Sequence, residues 1–374
     1  MGGALKRFDW ILIAALVPLF AWSLLTLKNL GSAGDYFFTR QVAWIAVGVV
    51  VMFFLASLDW RIFSNSGVII VLYFVSALLL LLLFLGGTRV HGAASWFRFS
   101  IASFQPTELI KLILILVLAK YFSRRHIDIA RARHIFISGA YAALPVGLIL
   151  LQPDLGSAVV VLAIWFGMTL VSGIKPRHLL AIVGVGLLVA GVSWFHLFAS
   201  YQKARILTFL NPSFDPKGAG YNAIQSMIAV GSGQIFGKGV GYGSQSRLNF
   251  LPESHTDFIF AAFAEEWGLV GIAVFFIFFG VIVWRILYIG LHSPGNFTKL
   301  FAIGFSIFIV FQSVIHIGMN MGVLPITGVS LPFMSYGGSG LLMLMAGVGI
   351  LESVYAHDYA YETRSGDSWE GSFV

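Results

Sequence analysis

The chain reads as an all-α, polytopic membrane protein of ten transmembrane helices, with both termini cytoplasmic and a large extracytoplasmic loop between helices 7 and 8. Three observations predict this. The 374 residues are 58% hydrophobic and 10% charged, where a soluble domain carries about 25% charged residues. Apolar runs long enough to span a bilayer recur along the whole length, and mean hydropathy is +0.89. Lys and Arg are also shared unevenly between alternate short loops.

The first run, 10–27, follows Lys6 and Arg7 and precedes GSAG at 31–34. That pattern also fits a signal peptide, but the run is nearer a spanning length than a signal core. Further runs lie at 41–57, 67–85, 107–122, 135–151, 155–171, 178–198, 258–284, 300–320 and 340–357. Each is continuous rather than alternating, so each predicts a helix, and membrane helices tolerate the Gly and Pro within them. No repeat or low-complexity segment interrupts them. Residues 1–357 are expected to form one integral-membrane domain, with 199–256 its large outer loop. The polar tail 358–374 is expected to be a disordered cytoplasmic segment.

Orientation follows from the short loops. One set holds Lys6, Arg7, Arg61, Lys120, Arg124, Arg125, Arg131, Arg133, Lys175, Arg177, Arg285, Lys299 and Arg364; the other holds Lys28, Arg40, Arg89 and Arg98. The richer set marks the cytoplasmic side. Segments 86–106, 152–154, 199–256 and 321–339 then face outward. The net charge of +7 is accounted for by orientation and lipid headgroups, so no nucleic-acid partner is implied. The densest basic stretch, YFSRRHIDIARARH at 121–134, fits an anchor on anionic lipid, with a docking site as the alternative. There is no cysteine, which excludes disulfides and thiolate-held metals.

Charges inside the spans are expensive and mark a bundle interior or a water-filled cavity. Glu108 and Lys111 are i,i+3 on span 4 and can pair. Asp154 opens span 6, where it can cap the helix. Asp257 opens span 8 in LPESHTDFIFAAFAEEWG, with Thr256 or His255 able to serve as the cap in its place. Spans 4, 6 and 8 all enter from outside, so these four side chains share the outer third of the bilayer. Glu265 and Glu266 lie deeper on span 8, where holding helix contacts is the favoured role.

The outer loop 199–256 carries Lys203, Arg205, Lys238 and Arg247, suited to a pyrophosphate or anionic sugar. Within it, AIQSMIAVGSGQIFG is expected to lie on the membrane as an amphipathic segment. The glycine run GKGVGYG follows no strand and is not read as a dinucleotide loop. Residues 86–106, with Trp96, Phe97, Arg98 and Phe99, suit an interfacial segment. The uncharged, Gly- and Pro-broken stretch GMNMGVLPITGVSLPFMSYGGSG suits a buried or re-entrant loop whose small residues, Ser335 among them, allow close approach of a sugar.

FQPTELIKL, QPDLGSA, NPSFDPKGAGYN, LPESHTDFIFAAFAEEWG and LPITGVSLPFMSYGGSG together resemble, in order and spacing, the SEDS family of shape, elongation, division and sporulation proteins, and its elongation branch more than its division branch. The likeness covers nearly the whole chain. It implies a ten-helix peptidoglycan glycosyltransferase of the inner (cytoplasmic) membrane that polymerises lipid II on the outer face. It also implies a class B penicillin-binding protein, a transpeptidase, as partner, alongside other elongation-complex proteins. The family's essential aspartate falls on Asp257, its cavity Glu and Lys on Glu108 and Lys111, and its QPD aspartate on Asp154; Arg205 matches a loop arginine. The implied role for Asp257 is general base in an inverting transfer, with Lys111, Arg205, Lys203 and Lys238 as cations toward the pyrophosphate. No cofactor is demanded by the residues; a divalent cation, Mg or Mn, stays open, with no metal-binding spacing in the chain. A lipid II flippase and a non-catalytic scaffold are the rival readings.

Overall fold

A helix in a bilayer satisfies its own backbone, so runs that cannot reach water fold as helices and then pack. The computed structural model describes residues 8–31, 34–86, 88–90, 93–98, 103–124, 132–196, 198–212, 218–248 and 250–370. Lys6, Arg7, Phe99, Arg125 and Arg131 lie outside the described residues.

All ten predicted runs are helices: α1 (Trp10–Lys28), α2 (Gly34–Ser57), α3 (Ser66–Gly86), α4 (Pro106–Ser123), α5 (Ala132–Leu151), α6 (Leu155–Val171) and α7 (Pro176–His196), then, after the outer loop, α11 (Ile259–His292), α12 (Asn296–Asn320) and α13 (Gly338–Glu370). Between them, α8 (Ser200–Leu210), α9 (Ala219–Ser232) and α10 (Ser244–Arg247) give the large loop its own structure. Eight of the described helices are long and apolar enough to cross a membrane. Of the other two, α4 carries Glu108, Lys111 and Lys120, and α6 has 17 residues. The last helix runs to Glu370, into the segment expected to be disordered.

Local chemistry sets several ends. Asp9 Oδ1 accepts from the amides of Ile11 and Leu12, each at 3.1 Å, and starts α1. Pro106 and Pro176 occupy first-turn positions, where a missing N–H costs nothing. Residues 88–90, 93–98 and 103–104 form a small antiparallel sheet, β1 (Thr88–Val90), β2 (Ala93–Arg98) and β3 (Ser103–Phe104).

α4 is the hub, buried through most of its length and packed by α3, α6, α12 and α13. α2 lies along α13, and α11 is held between α1 and α12. α7 is the opposite case: of its residues only Ser193 is buried, as suits a helix facing lipid nearly all round. Toward the C-terminal end of α11, Arg285 donates to Asp9 at 2.8 Å while the Asp9 amide donates to Glu352 of α13 at 2.9 Å, clamping three helices together.

The 34-residue α11 is broken at Gly268 (φ +63°, ψ −164°). The break strands the carbonyls of Glu265 and Glu266 and the amides of Leu269 and Val270, and residues 234–239 take all four. Lys238 N and Gly239 N donate to the two carbonyls at 2.9 and 3.0 Å, while Leu269 N and Val270 N donate to Gln234 and Ile235 at 2.9 and 3.0 Å. Gly237 must be glycine here, since its φ is +78° and a Cβ would fall 2.1 Å from the Glu266 carbonyl oxygen. The collar sits nine residues past the start of α11, about 14 Å along its axis. α9 packs beside α11, and the segment that follows it, 234–239, is held there by the backbone groups of the broken helix.

Candidate active site

Four helix N-termini, those of α4, α6, α11 and α13, open onto one cavity of about 480 Å³. Each directs the positive end of its dipole toward it, so the cavity favours an anion before any side chain is counted. Glu108, Lys111, Asp154, Arg205, Asp257 and Ser335 all line it. Trp96 from β2 and His255 complete part of its rim. Lys203 and Lys238 are not among the lining residues.

Glu108 and Lys111 form the expected pair, Nζ to Oε1 at 2.7 Å, almost wholly buried. A buried ion pair needs further hydrogen bonds to offset desolvation; Lys111 finds one at Gln312 Oε1, 3.1 Å away. Asp154 caps α6, accepting from Ser157 N at 3.0 Å and Ser157 Oγ at 2.7 Å. Ser335 is a wall residue: its hydroxyl donates to Thr256 O at 2.9 Å and accepts from Leu331 N at 2.8 Å. Lys238 has been drawn away to Glu265, at 2.7 Å, because a fully buried carboxylate needs a cation more than an open cavity does. Glu265 also accepts from Ser244 Oγ and Gln245 N, and Glu266 from Gly241 N at 2.9 Å, so both carboxylates secure the loop 238–246. That is the contact-holding role expected for them.

Asp257 sits just before α11, whose N-cap is Phe258 and uses no side-chain cap. The capping duty falls instead on Asn320 of α12: its Oδ1 accepts from Ala261 N at 3.1 Å and its Nδ2 donates to the Asp257 carbonyl at 2.9 Å. Neither Thr256 nor His255 is the cap. His255 stacks on Phe37 at 4.0 Å and faces Glu253 at 3.5 Å. Burial lowers its pKa, and the Glu253 carboxylate partly opposes this.

Gln312, His316 and Asn320 escaped the reading of charges because all three are neutral. Their signal is in the sequence nonetheless, as polar residues at i, i+4 and i+8 on one face of an apolar helix. Among the described residues, no group of three or more His, Asp or Glu side chains is placed to hold a metal ion.

A second cavity, about 370 Å³ and almost entirely apolar, adjoins the first and shares Pro153, Leu155, Arg205 and Thr327 with it. The site is thus amphipathic, an anion-favouring chamber opening beside an oily one.

The cell cycle protein family that groups FtsW, RodA and SpoVE matches residues 4–360. The chain is 35% identical over 357 residues to the peptidoglycan glycosyltransferase MrdB of Escherichia coli K12, covering 94% of each. It is 36% identical over 323 residues to the stage V sporulation protein E of Bacillus subtilis, covering 85% of this chain and 87% of the other. Among solved structures, a chain from a peptidoglycan synthase complex that coordinates polymerisation and crosslinking is similar with TM-score 0.79 and 35% identity. The rod shape determining protein RodA of Thermus thermophilus is similar with TM-score 0.71 and 32% identity. Each structural match covers 94% of this chain and 98% of the other.

Proposed function

The chain belongs to the FtsW, RodA and SpoVE family, and from that premise we propose that it polymerises lipid II at the outer face of the cytoplasmic membrane during cell elongation, as a peptidoglycan glycosyltransferase with Asp257 as general base. One observation carries the reading: the chamber containing Asp257, Lys111 and Arg205 shares a wall with the apolar chamber. A substrate with a charged sugar-pyrophosphate head and a polyprenyl tail needs both at once.

In the reaction a sugar hydroxyl oxygen bonds to the anomeric carbon that carries the pyrophosphate. The bond from that carbon to the pyrophosphate breaks, and polyprenyl pyrophosphate leaves. The hydroxyl proton passes to the Asp257 carboxylate, a step worth about 10²–10⁴-fold when base and substrate are positioned. Charge develops on the leaving pyrophosphate, where Lys111, Arg205 and the four helix N-termini stabilise it. A single displacement inverts the anomeric centre, and one carboxylate suffices for it. The synthase complex among its structural relatives supports a transpeptidase partner of the class B penicillin-binding type. The distribution of Lys and Arg supports cytoplasmic termini.

Purified protein incubated with labelled lipid II should yield glycan polymer, and Asp257→Asn should polymerise about 10²–10⁴-fold more slowly while remaining folded. Polymerisation by Asp257→Asn at close to the unaltered rate would remove the assignment of the base. Lipid II crossing vesicles without being polymerised would favour a flippase instead.

A further inference from the structure

We infer that Gln312, His316 and Asn320 form a positioning ladder on α12 that sets Asp257 and Lys111 in register; this rests on the glycosyltransferase reading above. The three side chains are 0–1% exposed, in a helix otherwise free to be apolar there. Neutral polar groups so buried are costly unless they are hydrogen-bonded, and each rung is bonded to the site.

Asn320 grips the backbone at both Asp257 and Ala261 (2.9 and 3.1 Å). It thereby supplies a side-chain acceptor to the first turn of α11 and ties that turn to the Asp257 backbone. His316 Nδ1 lies 2.7 Å from the Val329 carbonyl, which fixes Nδ1 as the protonated nitrogen. Gln312 donates to Ser330 O at 3.0 Å and accepts from Lys111 Nζ at 3.1 Å. Val329 and Ser330 directly follow Gly328, where a Cβ would stand 3.5 Å from Asp257 Oδ2. The lower rungs thus hold the strand that abuts the carboxylate, and the upper rung holds the carboxylate's own backbone. The ladder touches no reacting atom in the reaction written above; its members are positioning residues.

Asn320→Asp tests the upper rung with little change in volume. It keeps an acceptor for Ala261 N and replaces the donor to Asp257 O. Purified protein would be assayed for lipid II polymerisation and for lipid II binding, with thermal unfolding as the check on folding. The expected result is a kcat at least tenfold lower, with KM and binding within about threefold. At the middle rung, His316→Asn retains a donor near Nδ1 and should keep most of the turnover, whereas His316→Leu should lose it. Folded Asn320→Asp with unaltered kcat would overturn the proposal. So would losses in both His316 variants that merely track the fraction of folded protein. Should Asn320→Asp not fold, the His316 pair decides alone. The unaltered protein is the control: absence of polymer from it would count against the glycosyltransferase reading itself, not against the ladder.

Discussion

Asp257 and Glu265 stand eight residues apart, the first just before α11 and the second within it, and meet opposite fates. Glu265 is wholly buried and accepts from Lys238, Ser244 and Gln245, so nothing remains for a substrate to take. Asp257 lines an open chamber beneath four helix N-termini, and the capping task beside it has been handed to Asn320. A carboxylate saturated by protein donors is part of the scaffold. One that lines a cavity is placed where a bound molecule can meet it. The start of α11 and its kink differ in the same way: the first borders a chamber, the second is bound into the protein by loop contacts.

Substitutions can break this contrast at either end. The largest expected effect is on Asp257→Asn, a fall of about 10²–10⁴-fold in polymerisation rate with the melting temperature in detergent nearly unchanged; an equal loss of stability would show that Asp257 is scaffold too. Glu265→Ala should do the reverse. Breaking a buried ion pair costs about 3–5 kcal/mol, and the lower end applies because Lys238 is 31% exposed and regains water. Thermal unfolding should register that loss, with turnover per folded molecule far less affected than in Asp257→Asn. Gly268→Ala should destabilise by roughly 1–3 kcal/mol or more, since a φ of +63° is strained for alanine and its Cβ would fall 2.3 Å from Gly237 N. The smallest effect concerns His255. Its folded pKa is lowered, so the unfolded chain binds the proton more readily, and stability falls as pH drops through about 6.5, its unfolded value. His255→Gln should flatten the part of the stability profile below about pH 6.5; an unchanged slope would show the acid sensitivity arises elsewhere.

The helices were legible because each run had to satisfy its backbone internally, and all ten runs are helical. The Glu108–Lys111 pair was legible from its spacing, and the Asp154 cap from its place before α6. Other features were hidden for definite reasons. The destination of Lys238 depends on Glu265, which is near it only because residues 233–241 fold back along α11. That fold-back depends in turn on orphaned amides at a kink, which no periodicity announces. That Trp96, expected in an interfacial segment, also lines the cavity was hidden, because the strand pairing that brings it there involves a β1 too short to show alternation. The α12 ladder was visible as spacing but carried no charge, and charge was what drew attention to the site.

The collar at Gly268 also has a mechanical meaning. A continuous helix transmits twist through its ladder of i→i−4 bonds, but α11 has none at the break. It is two rods joined by a sleeve of residues 234–239. The C-terminal rod is tethered to Asp9 through Arg285, and the N-terminal rod begins just after Asp257. Torque applied at the Arg285 end is therefore not handed straight up the axis to Asp257, and the loop that forms the sleeve has its own lever on the N-terminal rod.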